Sequence, residues 1–450
     1  MRHEIRRIGD GRQVVLCETD RPVTPFGGVA VFVEFLRRMK VVEAVRERLP
    51  FRYHSNNALA PEHTLLAFWL GVTVGARRFA HLQMLRCDRA LQAVCGLEGF
   101  PSDDTVRNFF RRFGPAQIAE FFPSLWRWLF QQPSPRRCLL DLDSTVLQRF
   151  GQQEGAVAGY NPTRRNGRSH RPLVAFVTEP VLVLHAWLRA GNAADNRGAT
   201  EFLTEALQHL PPTWSVDGVR ADGAFFDQKL LDFLEGRNLP YVVVVRRRER
   251  IQNQVLQVDQ WSVIDANTAV GEFALKLPAW SRARRFIVVR LRLRDPDEPR
   301  LINVPGYDFR VLVTNRSEPA AWLWRHYDQR AGIEPRFSEL KEDLGADDFC
   351  LQQFFPTEAA FRSVLFAFNL LSLLQSLEGA PKPVQRRPAT LRQSLFVCGA
   401  IAGRSGHKIV LYLSRSWGGL AARKPLLDKI NSAFFSTSPK WDSGMATAPP

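Results

Sequence analysis

Apolar residues recur at helical spacing through the first part of the chain. Runs such as VFVEFLRRM, LLAFWLGVTVGA and AEFFPSLWRWLF lie between about residues 28 and 130 and have the period of amphipathic or buried helices. Within this region, PSDDTVRNFFRRF combines Ser102 as an N-cap with acidic residues in the first turn and an apolar side. We therefore predict a helical N-terminal domain over residues 1–135, closed by the Pro-rich linker QQPSPRR.

The pattern changes to that of strands after this linker. RCLLDLDSTVLQRF predicts a strand, and LVAFVTEPVLVLHAWLRAG predicts a hairpin that turns at Glu179 and Pro180. A helix in GATEFLTEALQHL, a short strand in GVRADGAF, a helix in QKLLDFLEG and a strand in YVVVV follow. Three strands followed by alternating helices and strands is the order of a ribonuclease H-like fold, an α/β sheet with mixed strand directions.

A further change of pattern divides this α/β core. Residues 247–312 contain alternating runs separated by Pro, Asp and Gly, which predict a β-rich insertion between a first part of the core, 136–246, and a second part, 313–380. The second part contains a long apolar helix at about 357–378, whose apolar run is too short and too often interrupted to span a bilayer. Residues 381–450 are predicted to form a basic C-terminal segment with a flexible tail.

The composition of the chain indicates what kind of partner it binds. The chain has 450 residues, 45% of them hydrophobic, and a formal net charge of +16. Nearly all of the 61 basic residues are Arg, whose forked guanidinium pairs with phosphates through two hydrogen bonds. The excess favours nucleic acid as the partner, ahead of a membrane surface or an acidic protein.

Cysteine spacing and the first residues bear on the compartment. The six cysteines form no CxxC pair, and no His stands at zinc-ligand spacing, so we expect free thiols in a reducing cytoplasm and no structural zinc. The start, MRHEIRRIGDGRQ, has charges but no apolar segment of a secretory signal. We expect a cytoplasmic protein without membrane association.

Carboxylates stand at the ends of the predicted strands. Asp141 and Asp143 in CLLDLDSTV project to the same sheet face, and Asp222 in VRADGAFF lies where a short strand meets a Gly turn. Because ligands collect at the carboxyl ends of strands in open α/β sheets, Asp143 and Asp222 are expected to converge there, with Glu334 delivered from a later helix. Oxygen ligands suit Mg²⁺ or Mn²⁺, and two such ions serve phosphoryl transfer. Taken singly, each Asp is more often a cap, turn or ion-pair residue.

The segment YDQRAGIEPRFSELK supplies the third carboxylate. It carries four polar residues spaced by three, four and seven positions: Tyr327, Arg330, Glu334 and Lys341. At about 100° per residue they share one helix face beside an apolar stripe, although spacing alone also fits an ordinary amphipathic helix with a solvated side. Pro335 disfavours helical conformation at Glu334 and removes a helix hydrogen bond, so the helix is expected to begin or kink there.

Two basic segments are candidates for phosphate contact. The loop GYNPTRRNGRSHRP is expected to be solvated and carries five basic residues: Arg164, Arg165, Arg168, His170 and Arg171. The helix in PSDDTVRNFFRRF presents Arg107 and Arg111 away from its apolar side, as a DNA-contacting helix would. An exposed loop without a ligand and an ordinary amphipathic helix fit the same two patterns.

Together these motifs resemble the DDE transposases of bacterial insertion sequences. Asp143 in LDLDST, Asp222 in RADGAFF and Glu334 stand in the order of that family. The signature of one of its groups, Tyr, two residues, Arg, three residues, Glu, six residues, Lys, is met at every position. GYNP, HRPLVAF and LRAGN are also similar to segments of one branch of that group, and the resemblance covers roughly residues 100–415.

The resemblance implies a mechanism and the residues that perform it. Three residues would be catalytic and hold two Mg²⁺ or Mn²⁺ ions: Asp143, Asp222 and Glu334. Three others would contact DNA phosphates near the cleavage point: Tyr327, Arg330 and Lys341. The preference for Asp143 over its neighbour Asp141 also rests mostly on the resemblance. The implied activity is binding of terminal inverted repeats by the helical N-terminal domain, 1–135, as a DNA-binding domain, followed by metal-dependent cleavage and strand transfer into target DNA in the catalytic core. The active form implied is a homodimer in a bacterial cytoplasm.

Two other functions fit the same residues. A metal-dependent nuclease of ribonuclease H type would keep the fold and hydrolyse DNA without joining strands. A transposase-derived DNA-binding protein would bind DNA with an idle site, although the presence of all three carboxylates counts against it. Strand transfer in Mg²⁺ distinguishes the first, and metal-independent binding without cleavage identifies the second.

Overall fold

The N-terminal part is mainly helical, as predicted, but begins with strands. The computed structural model describes residues 2–53, 58–134, 136–161, 164–246, 248–292, 306–379 and 385–435. The first strands are Arg2–Arg6 (β1), Gln13–Cys17 (β2) and Val23–Thr24 (β3). The helices that follow are Val29–Arg38 (α1), Val41–Arg48 (α2), Pro61–Val74 (α3), Gln83–Cys87 (α4), Arg89–Cys95 (α5), Asp103–Phe110 (α6) and Pro115–Phe130 (α7). Ser102 caps α6, where its hydroxyl accepts a hydrogen bond from the Thr105 amide at 3.1 Å.

The central part alternates strands with helices. Its strands are Arg137–Ser144 (β4), Leu147–Gln148 (β5), Val157–Ala158 (β6), Arg168–His170 (β7), Leu173–Thr178 (β8), Val181–Trp187 (β9), Ser215–Ala221 (β10), Tyr241–Val244 (β11), Ser262–Asp265 (β12), Thr268–Leu275 (β13), Arg284–Arg292 (β14) and Tyr307–Thr314 (β15). Its helices are Ala199–Leu207 (α8), Gln228–Gly236 (α9) and Glu249–Leu256 (α10). The predicted hairpin turn at Glu179 and Pro180 joins β8 to β9.

A nine-stranded mixed sheet organises the described residues. The strand order is β12-β13-β14-β15-β11-β10-β4-β8-β9, and β10 runs parallel to both β4 and β11 while the remaining neighbours are antiparallel. The predicted α/β class with mixed strand directions is therefore confirmed. The strands of the predicted insertion extend this sheet, because β15 pairs with β11. Hydrophobic runs such as LVAFVT in β8 are buried, as expected for strands covered on both faces.

The segment after the sheet is helical but irregular. Ala320–Asp328 (α11) is followed by a 3₁₀ turn at Gln329–Gly332, then by Ile333–Ser338 (α12) and a π turn at Glu339–Asp343. The predicted break near Pro335 therefore occurs just before Ile333. The prediction that the four signature residues share one helix face is wrong. Each of them lies in a different element: α11, the 3₁₀ turn, α12 and the π turn. The ordinary 100° spacing holds only within α11 and α12.

The remaining elements cover the sheet and join the two ends of the chain. They are Phe354–Ser376 (α13), Pro388–Leu391 (α14), a π turn at Arg392–Phe396, Ala400–Ser405 (β16), Lys408–Leu413 (β17) and Lys424–Phe435 (α15). β16 pairs with β17 and with β3, so the basic C-terminal segment completes a sheet begun near the N-terminus. The predicted flexible tail, from about residue 436, lies outside the described residues.

Helix α13 packs against the sheet and is hydrogen-bonded to strand β9. Its length and composition would suffice to cross a membrane, but every residue in its most apolar window is buried inside the protein. Asn369 on α13 binds the main chain of Val183 on β9 twice, donating to its carbonyl and accepting from its amide, both at 2.7 Å. These two hydrogen bonds satisfy the buried Asn369 amide and fix the position of α13 against β9. We conclude that α13 is a core helix, as predicted.

Candidate functional site

Two carboxylates lie at the carboxyl edge of the central sheet. Strands β4 and β10 are parallel neighbours with Leu142 opposite Ala221, so Asp143 and Asp222 follow at the same edge. Asp143 accepts a hydrogen bond from the Ser144 amide at 2.7 Å. Asp222 caps the 3₁₀ turn Gly223–Phe225 and accepts from the Ala224 amide at 2.9 Å. Backbone hydrogen bonds thus hold both side chains at the edge.

The two carboxylates are electrostatically unsatisfied. Burial raises the pKa of Asp143 to about 6, and the negative charges of Asp222 and Asp195 add to that rise, while Arg330 and the Ser144 amide oppose it. Burial likewise raises the pKa of Asp222, with Arg330 again opposing. Neighbouring acids removed from water repel each other when ionised. The edge is therefore a place where an added cation would be stabilised.

Arg330 supplies part of that positive charge. Its guanidinium donates to the Leu142 carbonyl at 2.9 Å and lies 3.0 Å from the Asp143 carboxylate. Tyr327 lies beside Arg330, and burial raises the pKa of its hydroxyl. Tyr327 is only 8% exposed and belongs to a buried apolar cluster that includes Leu312 and Val242 of the sheet. These two signature residues approach the carboxylates from inside the protein.

Glu334 does not join the other two carboxylates. It lies exposed on α12 and makes no hydrogen bond or ion pair with any described residue. Within the part of the chain that the structure describes, no three His, Cys, Asp or Glu side chains are grouped to hold a metal ion. Asp143 and Asp222 have oxygen donors and an excess of negative charge that suit a divalent cation.

A cavity of about 660 Å³ opens beside Asp222. Its charged and aromatic lining consists of Asp195, Asp222, Arg171, Arg246, Lys341 and Tyr160. Lys341, from the π turn, reaches the same space as Asp222, and burial lowers the pKa of its amine. Cations and carboxylates that share one cavity can hold a phosphate next to a metal site.

Asp195 is a site residue that was not predicted. Its side chain is 7% exposed and accepts from the Ser144 hydroxyl at 2.6 Å and from the Arg171 guanidinium at 2.7 Å. It also lies 3.5 Å from Arg189. The only sequence signal was its place three residues after LRAGN, in a segment without periodicity. Asp195 therefore joins the end of β4 to the basic segment that precedes β8.

Asp141 has a different role from Asp143. Arg220, its neighbour on β10, donates to both Asp141 carboxylate oxygens, at 2.7 and 2.6 Å. The two side chains are 1% and 3% exposed, and Arg220 also donates to the His326 carbonyl. This closed ion pair leaves Asp143 as the carboxylate on β4 that is available at the edge.

The basic segment 159–172, predicted to be a solvated loop, is solvated only in part. Arg164, Arg165 and Arg168 are exposed as predicted. His170 is instead fully buried on β7, where its ring accepts from Arg149 at 3.0 Å and burial lowers its pKa to about 4. Its prediction as a loop residue is wrong, because the segment folds back as a strand between β5 and β6.

The arginines of α6 differ in availability. Arg107 forms ion pairs with Asp103 at 2.6 Å and Asp104 at 3.1 Å, in the first turn of its own helix. Arg111 is exposed and donates to Asn108 at 2.8 Å. Arg111 thus has the freer guanidinium for an external phosphate.

Similarity to known proteins extends over nearly the whole chain. The model of a family described as transposase DDE domain, group 1, matches residues 6–433. Among solved structures, a piggyBac transposase synaptic complex with hairpin DNA, determined by cryo-EM, is similar with a TM-score of 0.44 and 12% identity. That similarity covers 92% of this chain and 83% of the other. No protein of curated function matches.

Proposed function

Since the chain belongs to the family of transposase DDE domains, group 1, we propose that it cuts and joins DNA at the ends of a mobile element. In this proposal it binds the terminal inverted repeats of a bacterial insertion sequence, of the group with the Tyr-Arg-Glu-Lys signature, and moves the element by cut-and-paste transposition. The observation that carries the proposal is the pair Asp143 and Asp222, which backbone hydrogen bonds hold at the carboxyl edge of two parallel neighbouring strands, with Arg330 beside Asp143.

The core is proposed to be ribonuclease H-like. Support comes from the strand order β9-β8-β4-β10-β11, in which β8 is antiparallel to β4 while β10 and β11 run parallel to it. Helix α8 connects β9 to β10, and α9 connects β10 to β11. In this proposal the first catalytic carboxylate, Asp143, stands on the central strand β4, and the second, Asp222, directly follows its parallel neighbour β10.

Asp143 and Asp222 would hold the divalent cations, with Glu334 proposed as the third ligand from the signature. Bound Mg²⁺ or Mn²⁺, two ions in this proposal, would supply charge stabilisation at the scissile phosphate and activation of the attacking oxygen. Arg330 would keep the Asp143 carboxylate oriented, since it binds both that side chain and the adjoining carbonyl of Leu142. Most of the rate enhancement would come from positioning and electrostatics.

The remaining proposed DNA contacts are cationic. Lys341 faces the cavity beside Asp222 and would bind a phosphate near the cleavage point. The exposed arginines of the basic loop, Arg164, Arg165 and Arg168, would follow the backbone away from the site. Arg111, and less readily Arg107, would contact DNA from α6. Tyr327 would act through Arg330, since its ring is buried. The partner is double-stranded DNA, both ends and target, held by a homodimer in the bacterial cytoplasm.

Cleavage of a labelled duplex that carries the element's own end tests the proposal. We expect strand cuts at the element boundary in Mg²⁺, none in a chelator, and about 10²-fold less cutting by Glu334→Gln, because Gln keeps the shape of Glu334 but loses the charge and one of the oxygens that would bind the cation. Binding of the duplex by Glu334→Gln should persist, which separates catalysis from recognition. Cutting that survives unchanged in Glu334→Gln would remove Glu334 from the site.

The same assay separates the two alternative functions. A second, unlabelled duplex supplied as target would acquire the labelled strand only if the protein joins strands. Cuts without joined product would identify a ribonuclease H-like nuclease. Binding by the unmodified protein and by Glu334→Gln, with no cut from either, would identify an idle DNA-binding protein.

A further inference from the structure

Two arginines flank the carboxylates along the sheet edge. Arg246 follows the end of β11 by two residues, and Arg171 precedes the start of β8 by two residues. Because the strand order is β11-β10-β4-β8, Asp222 and Asp143 lie between them. Both arginines line the cavity beside Asp222. The order along the edge is therefore cation, carboxylate, carboxylate, cation.

The Arg246 guanidinium is held by a hydrogen bond from one of its nitrogens, and its other donors are available to a ligand. One terminal nitrogen of its guanidinium donates to the Ala224 carbonyl at 2.9 Å, in the turn that Asp222 caps. No acidic side chain among the described residues pairs with it at salt-bridge distance, and the residue is exposed. A guanidinium held at one corner keeps its remaining donors for a second acceptor.

Arg171 is held in place by the buried Asp195. It donates to that carboxylate at 2.7 Å, its backbone amide donates to the Arg189 carbonyl at 2.9 Å, and its guanidinium lies over the Tyr160 ring at 5.2 Å. Its buried Nε has no hydrogen-bond partner in the described part of the chain. That nitrogen is enclosed by protein, so the contact with an incoming phosphate falls to the part of the Arg171 side chain that lines the cavity, where Asp195 and Tyr160 hold it.

We propose that Arg246 and Arg171 form a phosphate clamp, which binds backbone phosphates on the two sides of the scissile one. This inference rests on the proposed function and adds to it two contacts that the signature does not contain. Three strand intervals of about 4.8 Å separate β11 from β8, so the clamp spans roughly 14 Å. Phosphates recur about every 3.4 Å of axis along one DNA strand, so this span admits several in succession.

The slope of log affinity against log salt concentration reports how many phosphates a protein contacts. The full chain is titrated with a fluorescent 30-bp duplex of the element's end, without divalent metal, over a series of salt concentrations. For Arg246→Ala we expect the slope of log affinity against log salt to fall in magnitude by about 1, because one phosphate contact is lost. Arg171→Ala is expected to give a similar change. The matched control is Arg137→Ala, an exposed arginine at the opposite end of β4, whose slope should equal that of the unmodified protein.

The outcomes separate the clamp from the function on which it rests. An unchanged slope in Arg246→Ala, or an equal fall in Arg137→Ala, overturns the clamp while leaving the proposed function intact. Failure of the unmodified protein to bind the duplex overturns both. Arg171 contacts the buried Asp195 carboxylate, so Arg171→Ala also lowers stability. The result for the exposed Arg246 therefore decides whether the clamp exists. Thermal melts of both variants measure any loss of stability.

Discussion

Asp143→Asn is expected to stabilise the metal-free protein and to reduce DNA cleavage by roughly 10³-fold. The stabilising part follows from desolvation, since burial raises the pKa of Asp143 from 3.8 to about 6. The unfolded chain releases this proton at lower pH than the folded chain does. The free energy of unfolding therefore falls as pH rises from about 4 to about 6, by up to about 3 kcal/mol, and Asn removes that fall.

The catalytic part follows from the loss of a proposed metal ligand. A Lewis-acidic cation contributes several kcal/mol at a phosphoryl transition state, and each 1.36 kcal/mol is tenfold in rate. An Asn side chain keeps the shape of Asp143 but not its charge, so the cation would be held poorly. Single-turnover cleavage of the element's end in Mg²⁺ measures this loss.

Denaturant unfolding at pH 4 and pH 7 in a chelator measures the stability change. We expect the unmodified protein to lose stability from pH 4 to pH 7 relative to Asp143→Asn. Asp20→Asn, which alters an exposed carboxylate, is the matched control and should follow the unmodified protein. Identical pH profiles for Asp143→Asn and the unmodified protein would contradict the desolvation of Asp143, and undiminished cleavage would contradict its catalytic role.

The same substitution two residues earlier should act in the opposite direction. Asp141→Asn is expected to lower the free energy of unfolding by about 3–5 kcal/mol, because it leaves the buried Arg220 guanidinium without its counter-charge. Urea unfolding at pH 7 measures the change. Cleavage per folded molecule should fall much less than in Asp143→Asn, since Asp141 does not reach the edge.

A double replacement tests the cause of that loss. Asp141→Leu combined with Arg220→Met removes both charges and keeps an apolar volume, so it should recover much of the stability lost by Asp141→Asn. Recovery will be incomplete because the His326 carbonyl also loses its donor. A change of less than about 0.5 kcal/mol in Asp141→Asn would show that the pair is not the buried support described here.

Much of the fold was predictable because its signals are local. The hairpin of β8 and β9, the alternation of α8, β10, α9 and β11, and the cap at Ser102 each depend on residues a few positions apart. The positions of Asp143 and Asp222 at strand ends follow from the same local patterns.

The features that escaped prediction depend on residues far apart in sequence. The pairing of β15 with β11 and of β16 with β3 could not be inferred, because periodicity identifies a strand but not its neighbour. The ion pair between Asp141 and Arg220 required the register of β4 against β10. Asp195 lies in a segment without periodicity, where only tertiary contacts give it a role.

The prediction of a single helix face in the signature segment, residues 327–341, was wrong for a second reason, irregular winding of the backbone. Uniform helical winding would put its four polar residues on one face, yet a 3₁₀ turn and a π turn interrupt the segment. Each change of winding rotates the residues that follow. Arg330 consequently reaches Asp143, while Glu334 lies on the exposed side of α12.

The pairing of β3 with β16 has a consequence for protein synthesis. On the ribosome β3 emerges early, yet its partner strand is complete only when residue 405 has been made. Helix α1 likewise packs against α15, the last described helix, and Arg38 donates to Asn431 at 2.8 Å across that contact. This part of the chain therefore completes these contacts only after residue 431 has been made, whereas N-terminal domains usually fold while the rest is translated. A ribosome that stops or shifts frame before β16 would release a product that lacks this closure and exposes apolar surface to proteases.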